Sequence, residues 1–403
     1  MSQKVALVIG ASSESVFAIN EAKKAGLKVV AFDGNKDAIG LKFADVSYVV
    51  DIRDPKNIIE KLIGGGYEPI TILPVPIGRY LITTGSINDY YKLDGVSYKA
   101  ANLCTDKLLF HKKLRNLMGE TIKTIGGGFS FDKGEDLRPI ECHLITPNLD
   151  LSILKFPLII KPRFGSGSRD VIAVKNQDEL KNALSKIDLN KEDFLAETLV
   201  EGVEYGLSGA VVNGKYIHIL IRQKLLTPLP YRQSIGSLSA PEIFEVTHYM
   251  QRVSTRLNLK NCLINADLII TPEGEPFIIE LAPRPSGHYL SSTFVEIVTG
   301  VNMTKEWINM ILGKTFSFEP KFTKHAIIRY FDFEGRVTPP NFEILKNELG
   351  IVKYECNING VLGKVTDGKS IMNRGYAIIV ASNKQECLAK ADALIKKFKK
   401  DTK

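Results

Sequence analysis

The sequence predicts a doubly wound α/β unit at the N-terminus, followed by α+β structure to the end of the chain. Three observations carry this expectation. Before residue 80, short apolar runs alternate with helix-periodic segments at βαβ spacing. After Thr105, apolar runs follow one another closely, as in an antiparallel sheet. The 403 residues exceed one ordinary core, so two or three packed units are expected.

Each element follows from its local pattern. KVALVI (4–9) reads as a buried parallel strand. A Gly/Ser turn leads to FAINEAKKAG, a helix ending at Gly26. LKVVAFD and VSYVVDI are the next strands. DPKNIIEKLI is a helix with Asp54 as N-cap and Pro55 at its first position. ITILPV is the fourth strand, and PVPIGR leaves it on the side where open α/β sheets bind ligands, which makes Arg79 a candidate anion contact. TDKLLFHKKL is a helix with Thr105 or Asp106 near its N-cap, and GGGFSFDKGEDLRP is expected to be a mobile connection. FPLIIKP, DVIAVK, the helix DELKNALSKI and the strand DFLAETLV follow, then a run of alternating strands to Ala282. Past Gly300 come the helix TKEWINMILG, strands near HAIIRYFDF, VTDGK and YAIIVAS, and a last helix from Lys384. The expected units are 1–104, 105–300 with a nucleotide lid at about 125–200, and 301–403.

Composition narrows the function classes. The chain is 44% apolar and 24% charged, and no apolar run is long enough to span a bilayer. The run before Gly10 is too short for a secretory leader. Five scattered cysteines form no CxxC or Cys/His cluster, so reduced thiols in a cytoplasmic protein are expected. The net charge of +8 is dispersed rather than gathered into a stripe with aromatics, which argues against nucleic-acid binding. GASSES at the first turn lacks GxGxxG, so a dinucleotide is not expected there.

The stretch KPRFGSGSRD carries the chemistry. Lys161 ends a strand, and Pro162 stops the ladder. Gly165, Ser166, Gly167 and Ser168 then expose successive backbone N–H groups that can cradle phosphate oxygens beside that cation.

FPLIIKPRFGSGSRDV resembles the phosphate-loop signature of the ATP-grasp ligases, and GxxxxGK[ST] is absent. The resemblance extends in order over about 105–290. DKLLFHKKL is similar to the helix supplying a first phosphate lysine, which implies that role for Lys107. LAETLVEGVEY resembles the adenine hinge. That implies Thr198 and Val200 on the purine edge, Glu197 alongside, and Glu204 on the ribose. The strand carrying Arg222 would then neighbour the hinge strand.

NADLIITPEGEPFIIELAPR resembles the family's metal hairpin, and its geometry can be read directly. A two-residue turn at Glu273-Gly274 sets Thr271 opposite Pro276, Ile269 opposite Ile278, and Asp267 opposite Glu280. Both carboxylates then share one face, where a Mg²⁺ ion relieves their repulsion; a salt bridge to a nearby lysine is the competing reading. The family has Glu at the first position and Asn two residues past the second; here these are Asp267 and Ala282. Asn265, opposite Ala282, is the expected substitute amide ligand. The resemblance implies that Arg284 stabilises an acyl phosphate and a tetrahedral intermediate.

The implied activity is ADP-forming ligation. A carboxylate takes the γ-phosphate of ATP, and an amine displaces phosphate from the acyl phosphate, with Mg²⁺ as cofactor and Mn²⁺ as a substitute. Candidate substrate contacts are Arg79, Arg222, Arg232, Ser286, Gly287 and His288. The C-terminal RGYAIIVAS region resembles amino-acid ligases of the family; a purine-pathway ribonucleotide substrate is the alternative. A non-catalytic ATP-binding sensor is the alternative of another class, disfavoured by the intact lysines, carboxylates and arginine. The family resemblance makes a homodimer the default assembly.

Overall fold

The computed structural model describes residues 2–115, 137, 139–165, 167, 169–228, 232–365 and 368–400. The greater part of GGGFSFDKGEDLRP, together with Ser166 and Ser168, therefore lies outside the described residues.

Strands β1 (Gln3–Ile9), β2 (Val29–Asp33), β3 (Val46–Val49) and β4 (Tyr67–Ile72) form a parallel sheet in the order β3-β2-β1-β4. Val5 to Ile9 are almost fully buried, as a strand covered on both faces requires. Helices α1 (Ser15–Lys24) and α2 (Pro55–Gly64) complete the crossovers, and the Asp54 side chain accepts from Asn57 N at 3.1 Å, capping α2. Gly10 turns the chain with φ +84, and Asp33 Oδ2 accepts from Ala11 N at 2.7 Å, fixing the first turn at the sheet's C-terminal edge.

Two helices lie outside the sequence expectation, α3 (Leu81–Tyr91) and α4 (Tyr98–Thr105). LITTGSINDYY carries a mid-helix glycine and no amphipathic stripe, so period gave no signal. The glycine is there for contact: a Cβ on Gly85 would lie 2.7 Å from Ser97 O. Asp106 then caps α5 (Lys107–Leu114), accepting from Leu108 N and Leu109 N; Thr105 belongs to the helix before it.

A small antiparallel sheet follows, built from β5 (Cys142–Leu144), β6 (Leu158–Pro162), β7 (Ile172–Val174) and β8 (Phe194–Thr198) in the order β5-β8-β6-β7, with α6 (Gln177–Leu184) against it. Pro162, opposite Phe194, is the last paired residue of β6. The chain then runs through β9 (Val203–Val212), β10 (Lys215–Leu226), β11 (Ser234–Ala240), α7 (Phe244–Arg256), β12 (Cys262–Ile270) and β13 (Pro276–Ala282). The expected unbroken run of strands to Ala282 is thus wrong at α7. That helix buries Val246, Tyr249, Met250 and Val253, a helical rather than an alternating spacing. The Arg222 strand β10 pairs with β11 and with β9, the strand that the hinge segment enters at Val203; β8, on the other side of the hinge, sits in the other sheet.

The C-terminal elements are α8 (Val295–Thr299), α9 (Met303–Ile311), β14 (His325–Tyr330), β15 (Gly335–Thr338), α10 (Phe342–Leu349), β16 (Ile351–Cys356), β17 (Val361–Leu362), α11 (Gly368–Met372), β18 (Gly375–Ala381), α12 (Lys384–Lys396) and β19 (Lys399–Lys400). Of VTDGK, Thr366 and Asp367 lie outside the described residues, and the strand expected near it is β17, three residues before Val365. Residues 363–365 have no regular structure and Gly368 opens α11. Strands β14, β18 and β16 extend the sheet of β9–β13 into an eight-stranded one, so strands on both sides of residue 300 share hydrogen bonds. One apolar core joins the parallel sheet, α7 and the β12–β13 hairpin. No helix among the described residues is long and apolar enough to cross a membrane.

Candidate active site

A cleft of about 910 Å³ opens between the small sheet and the large one. One end is lined by Ile140, Ile159, Leu199, Val200, Ile269 and Ile279, and the other by charge. A flat apolar base and a polyphosphate fit these two ends.

At the phosphate end, Lys107 and Lys161 come from different elements. Lys161 Nζ lies 2.6 Å from Glu197 Oε2, and both side chains are about 5% exposed or less. Burial works to raise the Glu197 carboxyl, but Lys161 and His111 overcome it and hold it at about 2. His111 Nε2 is 3.4 Å from the other Glu197 oxygen. Lys107 is held more loosely: its Nζ donates to Gly165 O at 2.8 Å and lies 4.0 Å from Glu280 Oε2. Burial lowers its pKa. Gly165 (φ +152) and Gly167 (φ +69) adopt backbones that favour glycine, and Gly167 O accepts from Gly368 N at 3.2 Å.

Arg163 braces this end. It forms a two-bond fork with Asp106 (2.9 and 2.6 Å) and reaches Asp193 at 3.1 Å, tying the α5 cap to the glycine loop. Exposed Arg79 stacks over Phe164, with 5.0 Å to the ring centroid, so the structure gives it a loop contact.

At the hairpin, Asp267 pairs with Glu280 and Asn265 with Ala282, as the turn geometry predicts. Nearer the turn the register slips by one: Leu268 faces Ile278, Ile269 faces Phe277 and Ile270 faces Pro276. The expected Ile269–Ile278 and Thr271–Pro276 pairs are therefore wrong. The irregularity falls between Asp267 and Leu268, where a two-residue turn would have forced continuous pairing.

The largest omission from the sequence reading is Lys224. Its Nζ bridges Glu204 at 2.6 Å and Asp267 at 2.7 Å. Glu204 is also 3.0 Å from Arg232 Nη2. Burial raises the Asp267 carboxyl, with Glu280 and Glu204 adding to it against the pull of Lys224. The lysine salt bridge weighed against the metal is thus present, yet three carboxylates still crowd this wall. Among the described residues no three His, Cys, Asp or Glu side chains converge on one point. That donor set fits Mg²⁺, which is commonly held by one or two carboxylates with substrate phosphates completing its shell.

Arg222 is 2% exposed. It donates to Ser208 Oγ at 3.0 Å, to Asn265 Oδ1 at 3.1 Å and, more distantly, to Ser286 Oγ at 3.4 Å. The Asn265 amide oxygen therefore already spends one lone pair on a guanidinium. Arg284 sits just beyond β13; burial lowers its pKa, while Glu280, Glu14 and Asp267 act on it from two sides. Ser286 Oγ is 3.0 Å from Ser291 Oγ, and Gly287 and His288 form the next turn. Thr198, Val200, Glu197 and Glu204 line the cleft with both lysines, Asp267 and Glu280. Arg222, Arg284 and His288 are not among the residues lining it. Alternation along β10 offered the signal for Lys224, two residues past Arg222 on the same face; Glu14 and Arg163 had none.

Comparison with known proteins agrees with this geometry. Residues 154–293 match the family model described as an ATP-grasp domain. The carbamoyl phosphate synthase large chain of Thermoanaerobacter pseudethanolicus is 25% identical over 315 residues, covering 74% of this chain and 27% of that protein. The chain thus spans about a quarter of that relative's length. The formate-dependent phosphoribosylglycinamide formyltransferase of Prochlorococcus marinus is 23% identical, with 100% and 98% coverage. Among solved structures, an L-amino acid ligase from Bacillus licheniformis superposes with TM-score 0.78 at 17% identity over 99% of this chain and 98% of that one. An N5-carboxyaminoimidazole ribonucleotide synthetase from Thermotoga maritima gives 0.68 at 19%, covering 99% of each. At these identities the superpositions establish the fold.

Proposed function

We propose that this chain, which carries an ATP-grasp domain over residues 154–293 and shares the ATP-grasp fold, is a cytoplasmic ATP-dependent carboxylate–amine ligase. The reading rests on one observation: a single cleft sets two lysines and a glycine loop opposite two facing carboxylates, with a half-buried arginine just past the second strand. Lys107, Lys161 and the loop 165–168 hold the polyphosphate. Thr198 and Val200 take the purine edge beside Glu197, and Glu204 turns to the ribose. Asp267 and Glu280 would hold Mg²⁺, with Asn265 as third donor through its remaining lone pair; bound there, the ion would supply charge neutralisation for phosphoryl transfer.

The carboxylate oxygen attacks the γ-phosphorus, and ADP leaves. The amine then attacks the acyl carbon, and the C–O bond to phosphate breaks. Arg284 faces the charge that develops, in a setting where burial strengthens its field. Ser286, Gly287 and His288 shape the acyl end, with Arg222 bracing Asn265 and Ser286 beneath it. Amino acids or small acids are the favoured substrates, and 301–403 completes the ligase. A phosphorylated purine ribonucleotide is the second reading, favoured by the full-length similarity to the formyltransferase.

The test is product analysis with ATP, Mg²⁺ and pools of amino acids, small carboxylates, amines and purine-pathway ribonucleotides. ADP and phosphate released only when carboxylate and amine are both present support the reading. AMP with pyrophosphate, or ATP binding with no turnover against any pool, overturns it.

A further inference from the structure

We propose that Glu14 is the amine-binding group of this site: its carboxylate anchors the incoming ammonium and takes a proton from it before the nitrogen attacks the acyl carbon. This rests on the ligase reading above.

Glu14 comes from the N-terminal unit, in the Ser-rich turn on the ligand edge of the parallel sheet. Its carboxylate crosses to the loop after Arg284, where Oε1 accepts from Tyr289 N at 3.2 Å and the His288 N–H also stabilises it. His288 (φ 59) and Tyr289 (φ 60) are consecutive non-glycine residues in the left-handed region. Such a conformation is disfavoured for residues that carry a Cβ, and here it brings successive N–H groups to one anion. Gly287 makes room, since a Cβ there would lie 2.7 Å from Glu14 Oε2. The loop is therefore shaped around this carboxylate.

Glu14 also lacks what a structural carboxylate usually has. Among the described residues no lysine or arginine forms an ion pair with it. Arg284 acts on it through space and is within electrostatic reach of the hairpin carboxylates Glu280 and Asp267 as well. The other titratable groups facing it are Tyr289, Tyr330 and His288. Burial raises the Glu14 carboxyl, which suits a base more than a permanent counter-ion. An acid held by backbone donors, half-buried, beside the arginine proposed to hold the acyl phosphate, is matched by a cation that arrives with substrate.

An aliphatic amine is an ammonium ion at pH 7 and has no lone pair to attack with. In the proposed step an N–H proton moves to Glu14, and the freed pair forms the C–N bond. The C–O bond to the phosphoryl group breaks, its electron pair leaves with phosphate, and the second proton that the new C–N nitrogen must shed goes to that departing phosphate. Glu14 later returns the proton to solvent.

Hydroxylamine separates the two halves of the reaction, because it is neutral at pH 7 and attacks an acyl phosphate without a base. The wild type and E14Q are each given ATP, Mg²⁺ and a pool of amino acids and small carboxylates, with and without hydroxylamine. E14D serves as the conservative variant, and a thermal shift with ATP checks folding. The expected result is hydroxamate formation by E14Q within about threefold of wild type, with amide formation down roughly 10²-fold or more and partial recovery in E14D. Amide formation by E14Q at the wild-type rate overturns the inference, as does equal loss of both products. Absence of hydroxamate from the wild type overturns the ligase reading, and this inference with it.

Discussion

The phosphate end of the cleft holds its two lysines differently. Lys161 is locked 2.6 Å from Glu197, with His111 behind that carboxylate. Lys107 has a carbonyl at 2.8 Å and, among the described residues, its one carboxylate contact at 4.0 Å. The first is part of the fold before any nucleotide arrives; the second is available to a ligand. A buried charge whose partner is removed is expensive, so the locked lysine serves structure and binding together. Lys224 resembles Lys161 in this respect, since it reconciles Glu204 and Asp267.

The largest effect belongs to neither lysine. Arg284→Ala is expected to lower turnover by roughly 10²–10³-fold with ATP binding retained, because its charge matters most where charge develops. Steady-state rates beside ATP titration calorimetry check this. An equal loss of ATP affinity would move Arg284 to the nucleotide side.

The lysine pair sharpens the contrast. Lys161→Met leaves Glu197 buried with only His111 beside it among the described residues and should destabilise the protein by on the order of 3–5 kcal/mol. Lys107→Met should cost only about 1–2 kcal/mol while weakening ATP binding. Urea unfolding of both variants decides; equal stability losses would break the distinction.

Acid should find the Lys161–Glu197 pair first. The Glu197 carboxyl is held at about 2 against an ordinary 4.5. Its contribution is present above about pH 4.5 and is lost as pH falls toward about 2. In Lys161→Met much of that loss should vanish from the acid-unfolding curve.

Asn265→Ala is the smallest test. It should raise the Mg²⁺ concentration needed for half-maximal turnover by a few-fold. An unchanged Mg²⁺ dependence removes Asn265 from the metal site and leaves it as the acceptor of Arg222.

The sequence made much of this legible. β1 and α2 are written in apolar runs, an Asp cap and a Pro, all local signals. The two-residue turn read at Glu273-Gly274 put Asp267 opposite Glu280 and Asn265 opposite Ala282. The slip toward Pro276 was not legible, since an irregularity is a response to neighbouring strands. Helices α3 and α4 were missed because they pack through Gly85 rather than an apolar stripe. Helix α7 was legible from Val246, Tyr249, Met250 and Val253, but was taken as strand among its neighbours. Lys224 and Glu14 gain meaning only when chain segments far apart in sequence meet.

The most direct test of the central claim follows oxygen. Amino acids and small acids whose carboxylates carry ¹⁸O are supplied with ATP, Mg²⁺ and amines, and the released phosphate is analysed by mass spectrometry. One ¹⁸O per phosphate is predicted, because the carboxylate oxygen that attacks phosphorus departs with it. Unlabelled phosphate accompanying amide formation would contradict an acyl-phosphate ligase.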